Sequence, residues 1–233
     1  MGLLFLDTET TGNIPDKDRL VSIAYKHGEE IKHEFFKPPV PISVDAMATH
    51  HITNEMVADK PTFEGSATHA ELAKLLAQHT LIAHNASFDI GILETEGLQV
   101  PQFICTYKVA RTLDNEGVIP RFSLQYLRYF LKLNIEGALA HDAAGDVKVL
   151  EALFRRLEPK MDVAKMVEVS KQPILLRHFG FGKYKGQLFA DVAKTDRRYL
   201  EWLYNQKEFD AAGGHSKYGR DEDLVFTLRH YLN

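Results

Sequence analysis

The stretch GLLFLDTETTG at residues 2–12 decides the fold, because an uncharged apolar run passes directly into two acidic residues. Such a short run suits a strand that is buried on both faces of a sheet. Side chains alternate along a strand, so Asp7 and Glu9 point to the same side where this strand ends. Two acids at a sheet edge are costly to bury unless a cation or hydrogen-bond donors compensate them. The pair indicates a divalent metal site, although a solvated turn explains an isolated Asp-x-Glu equally well.

The segments that follow predict a mixed sheet covered by helices. Residues 20–25 and 31–36 are strand candidates separated by a short turn, so the chain begins with three consecutive strands. Two more strand candidates lie at residues 80–83 and 103–105. Helical patterns cover residues 44–50, 67–78, 87–96, 106–113, 123–131 and 142–157. This order predicts an α/β fold of the RNase H-like type, a mixed β-sheet flanked by helices.

Composition excludes several classes of protein. Hydrophobic residues make up 45% and charged residues 26% of the chain, as in ordinary globular proteins. No stretch approaches the ~18 apolar residues of a membrane span, and no basic flank precedes the N-terminal apolar run, so we expect neither a membrane segment nor a signal peptide. The single cysteine, Cys105, excludes an intrachain disulfide and a cysteine-based zinc site. A cytoplasmic location is the simplest expectation.

The charge distribution predicts two parts. Residues 1–158 carry a net charge of −7, whereas residues 159–233 carry +3. Glu158-Pro159 closes the last main helix, so we expect a main domain at 1–158, a linker with a short helix at 159–173, and a small C-terminal α+β module at 174–233. Divalent cations bound by acids of the main domain would reduce its repulsion of phosphate.

A second acidic motif is HNASFD at residues 84–89, which leaves a strand and enters a helix. Ser87 is the expected N-cap, which places Asp89 in the first helical turn. Interaction with the helix dipole would by itself account for an acid there. It does not explain why this helix begins at the same sheet edge to which Asp7 and Glu9 point.

The third motif is HDAAGD at residues 141–146, at the start of the last main helix. Five positions on an α-helix lie about 140° apart, so His141 and Asp146 face one site only if His141 precedes the helix. There His141 would be free to reach a substrate while Asp146 stays fixed. The alternative is an N-cap role for Asp142 beside an incidental surface histidine.

Together these motifs, Asp-x-Glu, a mid-chain Asp and His-x4-Asp, resemble the DEDDh exonucleases, the superfamily of proofreading and RNase T-like exonucleases. The resemblance covers residues 1–158. It implies that Asp7, Glu9, Asp89 and Asp146 are metal ligands and that His141 is the general base. It further implies cleavage from the 3′ end with release of mononucleotides.

Electrostatics supports the same assignment. Two unit charges 4 Å apart repel by about 4 kcal/mol at an effective dielectric constant of about 20, so four clustered carboxylates require cations. We expect two Mg²⁺ ions, which Mn²⁺ can replace, to grip the attacking and leaving oxygens of a phosphodiester. A histidine such as His141 is largely neutral near pH 7 and can accept a proton from water, while Glu9 completes the catalytic pair.

Four further residues are candidate substrate contacts. Thr10 follows the first acidic pair, and His50 resembles a substrate-contacting histidine of the same superfamily. Asn85 and Phe88 are placed to orient a terminal nucleotide. The alternative for each residue is ordinary loop polarity or core packing. For Asn85 and Phe88 this alternative is about as probable as a substrate contact.

The C-terminal stretch FGFGKYKG at residues 179–186 mixes aromatic, glycine and lysine residues. Basic and aromatic side chains together suit phosphate contact and base stacking, so Lys183 and Lys185 are candidate DNA contacts. The competing interpretation is a tight glycine hairpin in which Phe181, Tyr184 and Phe189 pack against Leu200, Trp202 and Leu203 as a small core. We expect both to hold in part.

The FGKY motif and the downstream YLEWL motif at residues 199–203 resemble the C-terminal module of the bacterial exodeoxyribonuclease X family. The likeness extends to residues 42–60 and then spans nearly the whole chain. It implies DNA as substrate and partner, with single-stranded and duplex 3′ ends, and a role in DNA repair. A 3′-to-5′ exoribonuclease with the same site, or a non-catalytic nucleic-acid-binding protein, remain alternatives.

Overall fold

The computed structural model describes residues 2–135, 142–212 and 220–233. The chain divides into two compact units, the first formed by residues 1–114 and 119–170 and the second by residues 115–118 and 171–233. The domain ranges expected from the sequence stay a prediction. No helix in the described part of the chain is long and apolar enough to cross a membrane.

The first unit is built on a five-stranded mixed sheet with the order β3-β2-β1-β4-β5. The strands are β1 (Gly2–Thr10), β2 (Leu20–Lys26), β3 (Ile31–Phe35), β4 (His79–Ala83) and β5 (Phe103–Cys105). The first three strands pair antiparallel, whereas β1–β4 and β4–β5 pair parallel. The predicted RNase H-like mixed sheet is confirmed.

Helices lie on both sides of this sheet. The first unit contains α1 (Val44–His50), α2 (Ala67–Gln78), α3 (Ser87–Thr95), α4 (Thr106–Leu113), α5 (Leu124–Phe130), α6 (Ala143–Leu157) and α7 (Val163–Ser170). Alternation along β1 separates two apolar clusters. Leu4 and Leu6 pack with residues of α2 and α3, whereas Phe5 packs with residues of α4 to α7.

The order of pairing along β1 determines where the functional side chains meet. β1 pairs with β4 only as far as Phe5, opposite Ile82, and then continues beside β2. Because β1 and β4 run parallel, the end of β1 and the chain leaving β4 toward α3 reach the same sheet edge. Asp7 and Glu9 follow Phe5 at two-residue spacing and therefore share its face of the strand, the face covered by α6.

The second unit contains α8 (Phe189–Thr195), α9 (Arg197–Ala212) and α10 (Arg220–Leu232). Its β component among the described residues is one antiparallel bridge between His178 and Leu188. Its core contains Phe179, Phe189, Val192, Leu200, Leu203, Leu224 and Leu228. The small core predicted from the sequence exists, but the prediction was wrong for Phe181 and Trp202, whose exposures are 42% and 54%.

Candidate metal centre

Three carboxylates converge where β1 ends. Asp7 and Glu9 on β1 and Asp146 in the first turn of α6 each offer an oxygen, and these oxygens lie within 4.8 Å of one another. No other group of three or more potential metal ligands among the described residues meets that distance. Residues 139 positions apart in the chain thus share one site, as the sequence predicted.

The N-terminus of α6 holds Asp146 in place. Asp142 caps this helix, because its Oδ2 accepts a hydrogen bond from the Gly145 amide at 3.1 Å. The Asp146 amide donates to the Asp142 carbonyl at 2.9 Å, which makes Asp146 the end of the first helical turn. The N-cap role that the sequence offered for Asp142 is therefore confirmed, and it coexists with the convergence of Asp146 on the acidic group.

Asp89 lies beside this group, in contact with Thr8 of β1. It is almost fully buried in the first turn of α3, and its Oδ1 accepts a hydrogen bond from the Thr8 hydroxyl at 2.8 Å. Thr8 stands between Asp7 and Glu9, so the strand places two acids toward α6 and one acid-binding hydroxyl toward α3. After burial, the charge of Asp89 is the largest cause of the raised pKa of Asp7.

The start of α3 differs from its prediction. Ser87 is the first helical residue, the N-cap is Ala86, and no side chain caps the helix. Asn85 adopts a left-handed conformation with φ of 67°, and its carbonyl accepts from the Phe88 amide at 3.0 Å. The prediction of Ser87 as N-cap was wrong because this tight backbone turn, and not a side-chain cap, begins the helix. Asp89 nevertheless occupies the expected first turn.

Burial and mutual repulsion raise the pKa values of these acids. Burial raises the pKa of Asp7 well above its usual range, with further increases from Asp89 and Asp146. Burial, followed by the charges of Asp146 and Asp89, raises the pKa of Glu9 to about 8. Burial raises the pKa of Asp89 to about 7 despite its hydrogen bond from Thr8. The acids cannot all be ionised near neutral pH unless a cation compensates them, and hard divalent cations prefer such carboxylate oxygens.

Gln125 supports the centre and was not found from the sequence. Its Nε2 donates to Asp146 Oδ1 at 2.5 Å. Arg128, one turn later on α5, donates to Gln125 Oε1 at 3.4 Å and to the Ile135 carbonyl at 2.9 Å. No sequence spacing marks a single glutamine as a partner of a metal ligand. The surrounding stretch at residues 117–135 does have an unusual charge pattern, with three basic residues and no acidic one.

A cavity of about 300 Å³ opens beside the acids. Its lining includes Glu9 and three of the predicted substrate contacts, Thr10, His50 and Phe88. Phe88 also packs against the core cluster of α2 and α3. Asn85 is half-buried at the turn before α3 and does not line this cavity.

His50 is fixed within the wall of this cavity. The Ile52 amide donates to His50 Nδ1 at 3.0 Å, so Nδ1 is an acceptor. His50 Nε2 then carries the hydrogen and donates to the Thr10 carbonyl at 3.1 Å. This ties α1 to the end of β1 and determines the shape of the cavity next to Glu9.

The geometry of this centre does not test two groups of predicted functional residues. His141 is outside the described residues, so its role as base stays a prediction. In the second unit, Lys183 pairs with Asp196 at 3.1 Å and lies 4.7 Å above the Tyr184 ring, while Lys185 is exposed. The Tyr184 hydroxyl, followed by Lys183, holds the pKa of Asp196 below its usual range. Part of the positive charge of this segment is thus offset locally.

Comparisons with known proteins point to one kind of enzyme. A family model described as an exonuclease, of the RNase T type, matches residues 4–154. A second model, described as an exodeoxyribonuclease X-like C-terminal domain, matches residues 179–208.

Among curated proteins, the chain is 33% identical to exodeoxyribonuclease 10 of Escherichia coli (strain K12), over 99% of this chain and 98% of the relative. It is 30% identical to the DNA polymerase III epsilon subunit of Rickettsia prowazekii (strain Madrid E), over 65% of this chain and 71% of that protein.

Among solved structures, Exonuclease X in complex with 5′ overhanging duplex DNA is 30% identical, with a TM-score of 0.60. The match covers 72% of this chain and 99% of that one. A structure of exonuclease I has a TM-score of 0.57 at 21% identity, over 68% of this chain and 41% of that one, and supports the fold alone.

Proposed function

Because the chain belongs to the exonuclease family whose model matches residues 4–154, we propose that it is a 3′-to-5′ exodeoxyribonuclease. It hydrolyses phosphodiester bonds at the 3′ ends of single-stranded and duplex DNA and releases 5′-mononucleotides. Its proposed cellular role is in DNA repair. The convergence of Asp7, Glu9 and Asp146 within 4.8 Å is the observation that supports this proposal most strongly.

The enzyme uses a divalent metal, and we propose two Mg²⁺ ions, with Mn²⁺ as a substitute. Asp7, Glu9 and Asp146 would hold them with the help of Asp89. When bound, two such cations neutralise the acids and stabilise charge on the attacking and leaving oxygens of the phosphodiester. The raised pKa values of Glu9 and Asp89 support this assignment, because both groups gain from a nearby positive charge.

The protein side chains supply positioning and proton transfer. The cavity lined by Thr10, His50 and Phe88 receives the terminal nucleotide, with Phe88 offering a ring for base stacking. Asn85 does not line this cavity and would act on the nucleotide only through the turn that begins α3. His141 accepts the proton of the attacking water.

The test of the reaction uses 5′-labelled single-stranded DNA, duplex DNA and RNA, each with Mg²⁺ or with EDTA. We expect a ladder of 3′-shortened DNA products that is lost in EDTA and in Asp146→Ala. His141→Ala should retain DNA binding but lose most hydrolysis. Faster loss of RNA than of DNA would reassign the substrate, and binding of DNA without cleavage would leave only a nucleic-acid-binding protein.

We propose that residues 174–233 form a DNA-binding module in which Lys183 and Lys185 contact phosphates. The net charge of +5 between Lys171 and Arg198 supports this role. The double substitution of both lysines by glutamine should weaken DNA binding and reduce its salt dependence by about one to two charges. Lys165→Gln, an exposed lysine of the first unit, is the matched control. Equal affinities at all salt concentrations would remove the module from the DNA interface.

A further inference from the structure

Helix α5 exposes aromatic side chains close to the metal centre. Tyr129 is 72% and Phe130 40% exposed, whereas Leu124 and Leu127 of the same helix are buried in the core. Tyr126 and Phe130 stack with ring centroids 5.9 Å apart and an interplanar angle of 21°. Large exposed rings that cluster on one element are typical of a binding surface.

This aromatic surface carries positive charge. The Arg128 guanidinium lies 5.3 Å from the Tyr129 ring centroid, and that of Arg121 lies 6.0 Å from the Tyr126 ring. Lys132 is also exposed. In a chain with a net charge of −4, residues 117–135 contain three basic residues and no acidic one. Rings interleaved with cations match the bases and phosphates of a nucleic-acid strand.

The surface is continuous with the metal centre. Gln125 donates to Asp146 and accepts from Arg128, so α5 is joined by hydrogen bonds to an acid of the centre. Residues four apart lie on one face of a helix, about 6 Å along its axis, which places Tyr129 one turn beyond Gln125 on the same face. A strand whose terminal phosphodiester reaches Asp146 would therefore have this face within reach.

We propose that the surface formed by Arg128 and Tyr129 of α5, together with Lys132 just after the helix, binds the DNA strand immediately upstream of the nucleotide being removed. This proposal rests on the proposed exonuclease function. A base stacks on the Tyr129 ring, and the neighbouring phosphates lie against Arg128 and Lys132. The face thereby favours substrates long enough to reach it, and sequence is not read because every base has a stacking surface.

The test compares Tyr129→Ala and Tyr129→Phe with the unmodified enzyme on a single-stranded 20-mer and on a dinucleotide. Tyr129→Ala should raise KM for the 20-mer about tenfold, and the loss in kcat/KM for the dinucleotide should be much smaller. Tyr129→Phe keeps the ring and should behave like the unmodified enzyme. Met56→Ala, an exposed apolar side chain outside α5, is the control.

Equal losses on both substrates would overturn the proposal, since they would mean that Tyr129 acts on the centre through Gln125. No loss on the 20-mer would overturn it as well. Fluorescence anisotropy of a labelled 20-mer in EDTA measures DNA binding without cleavage, and therefore tests this proposal separately from the proposed function. Suppose that no DNA is cleaved but Tyr129→Ala still weakens binding about tenfold and Tyr129→Phe does not. This result would support the proposed α5 binding surface and contradict the proposed nuclease activity.

Discussion

Replacing Glu9 with glutamine should stabilise the metal-free protein at alkaline pH, although it removes a proposed metal ligand. The pKa of Glu9 rises from 4.5 to about 8 on folding, chiefly because the carboxyl is buried. The folded state therefore binds this proton more tightly than the unfolded state does. Stability from the protonated form is complete below pH 4.5 and is lost as the pH rises through 8.

The size of this effect follows from the same pKa values. At about 1.36 kcal/mol for each pKa unit, a rise from 4.5 to about 8 sets a ceiling of about 5 kcal/mol. Relaxation of the site and entry of water reduce it, so we expect about 2 kcal/mol at pH 9. For a chain of this length this corresponds to a Tm that is about 4 to 8 °C higher in Glu9→Gln than in the unmodified protein.

Scanning calorimetry in EDTA at pH 5 and pH 9 measures this difference. The two proteins should unfold at similar temperatures at pH 5, and the gap should open as the pH rises. With saturating Mg²⁺ the order should reverse, because only the unmodified protein keeps its full set of acids. Glu64→Gln, at an exposed position, is the control. A Tm for Glu9→Gln at pH 9 in EDTA that equals or lies below that of the unmodified protein would falsify the electrostatic account of the centre.

Three further outcomes are expected. Adding Mg²⁺ to the EDTA-treated protein at pH 8 should raise its stability by about 2.7 kcal/mol at a hundred times Kd, and a Tm independent of Mg²⁺ would argue against a metal centre. Gln125→Ala should raise the Mg²⁺ concentration for half-maximal activity at least tenfold, roughly as for other groups that orient a ligand, because Asp146 loses its hydrogen bond; an unchanged Mg²⁺ dependence would contradict this. Glu96→Gln should cost about 3 kcal/mol in urea unfolding, since Glu96 is buried and binds Arg19 through two contacts of 2.8 Å. Its control is Arg155→Ala, which removes two partly exposed ion pairs and a contact with the Phe154 ring and should change stability by less than about 1 kcal/mol.

Much of the first unit is predictable from the sequence because its signals are local. The apolar run before Asp7 and the two-residue alternation in β1 require nothing from the rest of the chain. Convergence of Asp7 and Asp146 was also predictable, since each lies at the end of a regular element at one sheet edge. Gln125 was missed because its function depends on a contact 21 residues away, which no local pattern records.

The errors have physical causes. Ser87 is a favourable N-cap residue type, yet the backbone turn at Asn85, with its positive φ, satisfies the Phe88 amide through a carbonyl and leaves no need for a side-chain cap. Phe181 and Trp202 are residue types common in protein cores, but hydrophobicity alone does not show which side of a small module faces solvent. Tertiary packing decides both cases.

Residues 115–118 belong to the second unit although the stretches on both sides of them belong to the first. Arg177 donates to the Asn115 carbonyl and lies against Gly117, so this internal loop is held by the C-terminal segment. Removing residues 171–233 would therefore leave this loop without its packing partners. Limited proteolysis should then cut the truncated protein near residues 115–118, where the full chain resists cleavage.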